Sequence, residues 1–154
     1  MSWESVFRQA EYHQVSNFLI SDYLDDDDFA MIKGDPRLFS AAVHTIRQNE
    51  NQLYSWEELR DIFETADIDC VPVKGIVTKN YYPLPELCCM CNLDLLYKEE
   101  QDAELKKVMQ KLSYGNHAEG IKHDHFTNDF GVHIEMHREM VEAGTAHRKY
   151  YHSE

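Results

Sequence analysis

The sequence predicts an α+β fold, with N-terminal helices set against a small β-sheet, and three observations carry that reading. Through the first third, large apolar residues (Val6, Phe7, Val15, Phe18, Leu19, Tyr23) recur at helical spacing. After Asp67 the chain changes to short apolar runs, β-branched or alternating, bounded by Gly and Pro. Between two such runs lies one amphipathic segment, Glu99 to Ser113, with Leu105, Val108, Met109 and Leu112 on one face. A chain of 154 residues makes one ordinary domain, here a helical region over residues 1–66 and a sheet-bearing core over residues 67–154.

In chain order, the first helix spans Val6 to Leu24 and ends in Asp25 to Asp28. Such a tetrad can open a calcium loop, but no Gly turn or bidentate Glu follows at the required spacing, so a solvated loop that caps the next segment is expected. Asp35-Pro36 opens a second helix running to about Gln48, with Pro36 in the first turn, where its missing N–H is no loss. Ser55-Trp56-Glu57-Glu58 has the form of a capping box and starts a third helix that ends near Ala66. Ile68 to Val73 reads as a strand in which Pro72 sits best on an edge or at a bulge. Lys74-Gly75 turns that strand into a short helix from Ile76 to about Tyr82, stopped by Pro83 and Pro85. Asn92 to Tyr97 is the second strand, and Gly115 caps the Glu99–Ser113 helix. Phe126 to Phe130 forms a third strand in a hairpin, and Val132 to His137 the last.

Composition narrows the function classes. With 43% apolar and 12% aromatic residues the chain buries a real core. Its net charge of −13 is spread over both parts: the first 66 residues carry 5 basic and 13 acidic side chains, the remainder 10 and 15. Neither part offers the clustered Lys and Arg that phosphate backbones require, which argues against a grip on long nucleic acid. The start, Met1-Ser2-Trp3-Glu4-Ser5, lacks a basic flank and an apolar core of signal-peptide length. No apolar run approaches the length of about eighteen residues that a membrane helix needs, so no membrane partner is expected. Cys70, Cys88, Cys89 and Cys91 are then read as reduced thiols of a cytoplasmic protein.

The residues that carry chemistry lie in two strands. Alternation puts Asn92 and Asp94 on one face of their strand, opposite Leu93 and Leu95, and puts His133, Glu135 and His137 together, opposite Ile134 and Met136. If the two strands are neighbours, Asp94 and Glu135 lie within a few ångströms and repel unless a cation sits between them, as in a Mg²⁺ clamp. The other reading of the same alternation is a solvent-facing polar edge on two amphipathic strands.

Val73-Lys74-Gly75, Tyr82-Pro83-Leu84-Pro85-Glu86-Leu87, Asn92-Leu93-Asp94-Leu95-Leu96 and Ile134-Glu135-Met136-His137-Arg138-Glu139 follow one another in an order and spacing that resembles an uncharacterised bacterial nucleotidyltransferase family. Tyr114-Gly115, the segment His123-Asp124-His125-Phe126 and the stretch Ala10 to Leu24 with its internal His13 are similar to its pattern too. That family belongs to the superfamily of DNA polymerase beta and the antibiotic nucleotidyltransferases. The resemblance implies a small mixed sheet of nucleotidyltransferase core topology with three metal-binding positions, which fall here on Asn92, Asp94 and Glu135. It implies Mg²⁺ as cofactor and a nucleoside triphosphate as substrate, with a nucleotidyl group passing to a hydroxyl of a small molecule or protein. Asp94 and Glu135 would be catalytic, Glu135 also as the general base, and Lys74 and Gly75 would face the phosphates. The chain departs from the pattern at Cys88, where the family has Arg, and at Asn92, where it has Asp; relatives are also expected to continue into a further helical region. A non-catalytic binding or interaction domain on the same fold is the alternative that these departures keep open.

Two other metal arrangements compete. Cys88-Cys89-Met90-Cys91 contains a CxxC, but no second pair follows at zinc-ribbon spacing, so Cys70 and a His would have to complete it. His117, His123, His125, His133 and His137 crowd the C-terminal half and offer pairs for a transition metal. HIEMH is not the HExxH motif, which needs both His on one helix with Glu beside the first. Partly buried strand histidines, hydrogen-bonding around the acidic site, are the expectation.

Overall fold

The computed structural model describes residues 2–13, 15–21, 35–119 and 123–141; the Asp25–Asp28 tetrad lies outside them. Helices α1 (Trp3–Tyr12), α2 (Phe18–Ser21) and α3 (Pro36–Thr65) precede strand β1 (Cys70–Val73). The short helix α4 (Gly75–Thr78) leads to β2 (Leu93–Tyr97), α5 (Asp102–Lys111), β3 (Gly115–Glu119), β4 (His123–Thr127) and β5 (His133–His137). The strands form one sheet in the order β1-β2-β5-β4-β3. It is mixed: β2 and β5 run parallel, while β1–β2, β5–β4 and β4–β3 are antiparallel. The α+β architecture, with N-terminal helices on a small mixed sheet, is the expected one. Pro72 lies in β1, an edge strand, where a missing ladder donor is tolerated.

One face of the sheet carries the main core. Leu93, Leu95 and Tyr97 of β2, Ile134 and Met136 of β5, and Phe126 of β4 pack with Leu59 and Phe63 of α3 and Leu105, Val108 and Met109 of α5. A second cluster joins Phe7 of α1, Leu38 and Ala42 of α3, and Leu87. The opposite face carries Asp94 and Leu96 of β2 and His133, Glu135 and His137 of β5, which is what positions the site.

The two helices expected at 36–48 and 55–66 are one continuous helix, α3, of 30 residues. Its buried positions are Leu38, Ala42, Thr45, Asn49, Gln52, Ser55, Leu59 and Phe63. These recur every three or four residues, but the middle of the stripe is polar, so hydrophobic periodicity alone breaks there. The buried amides are used: Asn49 Nδ2 donates to the carbonyls of Glu86 (2.7 Å) and Cys88 (2.9 Å), and Gln52 Nε2 to that of Met90 (3.1 Å). Ser55 Oγ is not a cap but an acceptor, at 3.0 Å, for Asn128 Nδ2. These side chains thus satisfy the irregular backbone that leads into β2. Asn49→Ala strands two of those carbonyls and is expected to lower stability by about 1–3 kcal/mol in urea unfolding, with unchanged α-helical circular dichroism.

The expected helix from Val6 to Leu24 is likewise corrected, to the separate α1 and α2. Ser2 caps α1, its side chain accepting from the Ser5 N–H. At the far end the Val15 N–H reaches back to the Ala10 carbonyl (2.8 Å), and buried Asn17 donates its amide to the Leu87 carbonyl instead of continuing the helical run.

Gly115 is not the cap of α5. Ser113 takes the left-handed position (φ 60°), with Ser113 N bonded to the Gln110 carbonyl and Tyr114 N to that of Met109, while Gly115 opens β3. Asp67 (φ 57°) closes α3 in the same way through Asp67 N to Glu64 and Ile68 N to Phe63. The strand expected at Phe126–Phe130 is β4, displaced to His123–Thr127; Asn128 ends it by accepting from the N–H groups of Phe130 and Val132.

Behind the sheet, where β5 ends, a fully buried carboxylate, Asp124, meets Arg138 Nη2 at 2.5 Å. The same guanidinium reaches Asp102 (2.9 Å), which also accepts from the Tyr97 hydroxyl (2.6 Å) and pairs with Lys106 (3.2 Å). Arg138 is thereby tied to β4 and α5 directly after His137, fixing the end of β5.

Candidate functional site

The parallel pairing of β2 with β5 puts Asp94 directly opposite Glu135. Oxygen atoms of Asp94 and Glu135 and a ring nitrogen of His137 all lie within 4.8 Å of one another. Asp94 is only 5% exposed, so it is not part of a solvent-facing polar edge. His137 follows from the alternation that places it on the face of Glu135; as a possible ligand it was legible in the spacing. Among the described residues this is the one group of three or more His, Cys, Asp or Glu side chains close enough to share an ion, and it contains no cysteine.

Lys74 closes the group from the turn that follows β1. Its Nζ lies 2.6 Å from Asp94 Oδ1 and 3.2 Å from His137 Nε2, and His137 Nε2 is 2.8 Å from the same Asp94 oxygen. A proton on Nε2 serves Asp94, the nearer group, so Lys74 and His137 both donate to one carboxylate oxygen. Burial pushes the Asp94 carboxyl upward, but the hydrogen bonds from His137 and Lys74 outweigh it and hold the group below its ordinary value. Asp94 therefore stays ionised, and keeps its stabilising contacts, until the pH falls through that lowered value. Glu135 lies 3.5 Å from His137 Nε2 and 3.7 Å from His125 Nδ1.

The backbone at Lys74 is unusual. At φ 54°, ψ −124° it occupies a region that favours glycine, which costs about 1–3 kcal/mol for a side-chain-bearing residue. The strain aims the ammonium at Asp94. Gly75 has a packing reason of its own: a β-carbon there would meet Met90 Cγ at 3.2 Å and Sδ at 3.3 Å. Asn92 sits two residues before Asp94, half-buried in the bend that enters β2.

The donor set fits a divalent cation: two carboxylates from adjacent strands and one imidazole converge on a common space. A cation entering there must share Asp94 with the Lys74 ammonium or displace it. The cysteine arrangement is not assembled: among the described residues no cysteine belongs to a group of three or more such side chains close enough to share an ion. Among the described residues no helix is long and apolar enough to cross a membrane.

A family model described as an uncharacterised nucleotidyltransferase matches residues 1–153. No curated protein matches the chain, and no solved structure does.

Proposed function

The chain belongs to the uncharacterised nucleotidyltransferase family, and from that premise we propose that it moves a nucleotidyl group from a nucleoside triphosphate to an acceptor hydroxyl with the aid of Mg²⁺. The observation that carries this reading is the Asp94–Glu135 pair on parallel neighbours, with Lys74 aimed into it. Asp94, Glu135 and His137 would hold the cation, with the Asn92 amide oxygen as a fourth, uncharged ligand. The bound cation supplies charge neutralisation for the triphosphate. Lys74 leaves Asp94 for the phosphates, adding a second positive charge to them, and Gly75 lets them approach the turn. Glu135 takes the proton of the acceptor hydroxyl as its oxygen bonds to the α-phosphorus. The bond from that phosphorus to the bridging oxygen breaks, and pyrophosphate leaves.

A second reading, a non-catalytic binding domain, is favoured by two features: Asn92 removes one negative charge, and the Lys74 ammonium already neutralises Asp94. Calorimetric titration with ATP, GTP, CTP and UTP plus Mg²⁺, comparing the wild type with Asp94→Ala, tests the proposal. Binding that needs Asp94 supports it, and nucleotide binding that is absent or indifferent to Asp94 rejects it. Asn92→Asp restores the missing charge and is expected to tighten metal binding about tenfold and to raise transfer in a labelled-nucleotide assay. No gain in either would mean that position 92 does not face the cation.

A further inference from the structure

A cavity of about 350 Å³ opens between α3 and the β4–β5 connection. Its walls include His44, Arg47, Gln48 and Asn51 of α3, and Phe130 and His133 from the other side. In a chain of net charge −13, no carboxylate of the described residues lines it. Arg47 has no carboxylate partner among the described residues, whereas Arg8, Arg37, Arg60 and Arg138 each have one.

The walls are set before any ligand arrives. Gln48 Nε2 (2.6 Å) and Gln52 Nε2 (3.1 Å) both donate to the Met90 carbonyl, fixing α3 to the segment before β2. His133 Nδ1 meets Thr127 Oγ1 at 3.0 Å, which leaves Nε2 for a ligand. Phe130 is 72% exposed although its loop is well held: Asn128 accepts from Phe130 N and Val132 N and donates to Ser55 on α3. An aromatic ring kept in water by an ordered loop offers a stacking face. His133 and Glu135 lie on one face of β5 two residues apart, about 7 Å.

We propose that this cavity receives the acceptor of the transfer reaction, and that the acceptor is a small anionic molecule with a planar part. This rests on the reading of Asp94 and Glu135 as the transfer site. Arg47 and His44 would bind the carboxylate or phosphate, Phe130 would cover the planar part, and a hydroxyl on the far side would reach Glu135. The volume is at the small end of the range for ligand sites, roughly 300–1,000 Å³, and leaves no room for a folded protein.

The test is amide-resolved NMR on the full chain with four probes of one shape: benzoate and phenyl phosphate (anionic), benzamide (neutral) and benzamidine (cationic). One or both anions should shift Gly131, Val132 and the Asn51 side-chain amide, and the tighter of the two identifies carboxylate or phosphate as the preferred group. Benzamide and benzamidine should bind more weakly by about tenfold or more, and Arg47→Gln, an exposed position, should weaken the anion by about as much. Phe130→Ser should weaken all four probes. With Mg²⁺ and a nucleotide present, the anion should still bind, because donor and acceptor occupy separate places.

Benzamidine binding as tightly as benzoate, or no effect of Arg47→Gln, would overturn the proposal. One-for-one competition by the nucleotide would also overturn it, assigning the cavity to the nucleobase. An intact anion response in a chain that binds no Mg²⁺–nucleotide would reject the transfer reading and the acceptor role together, leaving an anion site.

Discussion

Asp94→Asn is expected to lower divalent-cation affinity by at least about 100-fold, the upper end of what loss of a metal's outer-shell support causes, and transfer by as much or more. The substitution keeps the shape of the side chain and removes one of the two carboxylates that meet across β2 and β5. What remains, Glu135 with His137 near the Lys74 ammonium, is a set with a single anion. Such a set repels a cation about as much as it attracts one. Folding should survive: the Lys74 side chain is 58% exposed and relaxes into water, and the amide still accepts from His137. Titration with Mn²⁺ or Mg²⁺, a labelled-nucleotide assay and thermal unfolding on the same preparation separate the outcomes. A variant that folds and keeps wild-type cation affinity would mean that Asp94 is a structural carboxylate.

The largest effect on stability is expected at Arg138. Asp124 is fully buried, and its Oδ1 has no hydrogen-bond partner among the described residues, so Arg138 at 2.5 Å is the main compensation for its charge. Lys106, at 3.6 Å, is more distant. Arg138→Met should destabilise the protein by about 3–5 kcal/mol, the range for a buried charge that loses its partner. For a chain of this size that is a fall in melting temperature on the order of 10 °C. Asp124→Leu combined with Arg138→Met should recover much of the loss, since no buried carboxylate is then left alone. A loss under about 1 kcal/mol in the single variant would show that Lys106 moves in to replace the guanidinium.

The parts of the fold that could be read from the sequence are those where side-chain periodicity and burial agree. β5 alternates throughout and β2 as far as Leu95, with Leu93, Leu95, Ile134 and Met136 all buried, so both strands are legible; alternation leaves open whether they are neighbours, and their parallel pairing is what brings Asp94 to Glu135. α3 reads as two helices in the sequence because Asn49, Gln52 and Ser55 face inward, where they bond to backbone and to Asn128. Polar residues inside a helix carry no hydrophobic signal, and only the tertiary partner makes sense of them. β3, Gly-Asn-His-Ala-Glu, gives no strand signal because it has no β-branched residue and no Phe, Tyr or Trp, and it is held by pairing with β4. Lys74 could be placed near the site, but its contact with Asp94 could not be read, because it depends on a backbone angle that disfavours lysine. The Arg138 network was equally hidden, since its members come from β2, α5, β4 and the end of β5.

The most direct measurement of the central claim is anomalous diffraction from crystals grown with Mn²⁺ and a non-hydrolysable nucleoside triphosphate. A manganese peak is expected between the Asp94 and Glu135 carboxylates, next to the triphosphate, with the Lys74 ammonium moved from Asp94 onto a phosphate oxygen. A triphosphate bound elsewhere, or Lys74 still on Asp94 with no manganese beside it, would contradict the account.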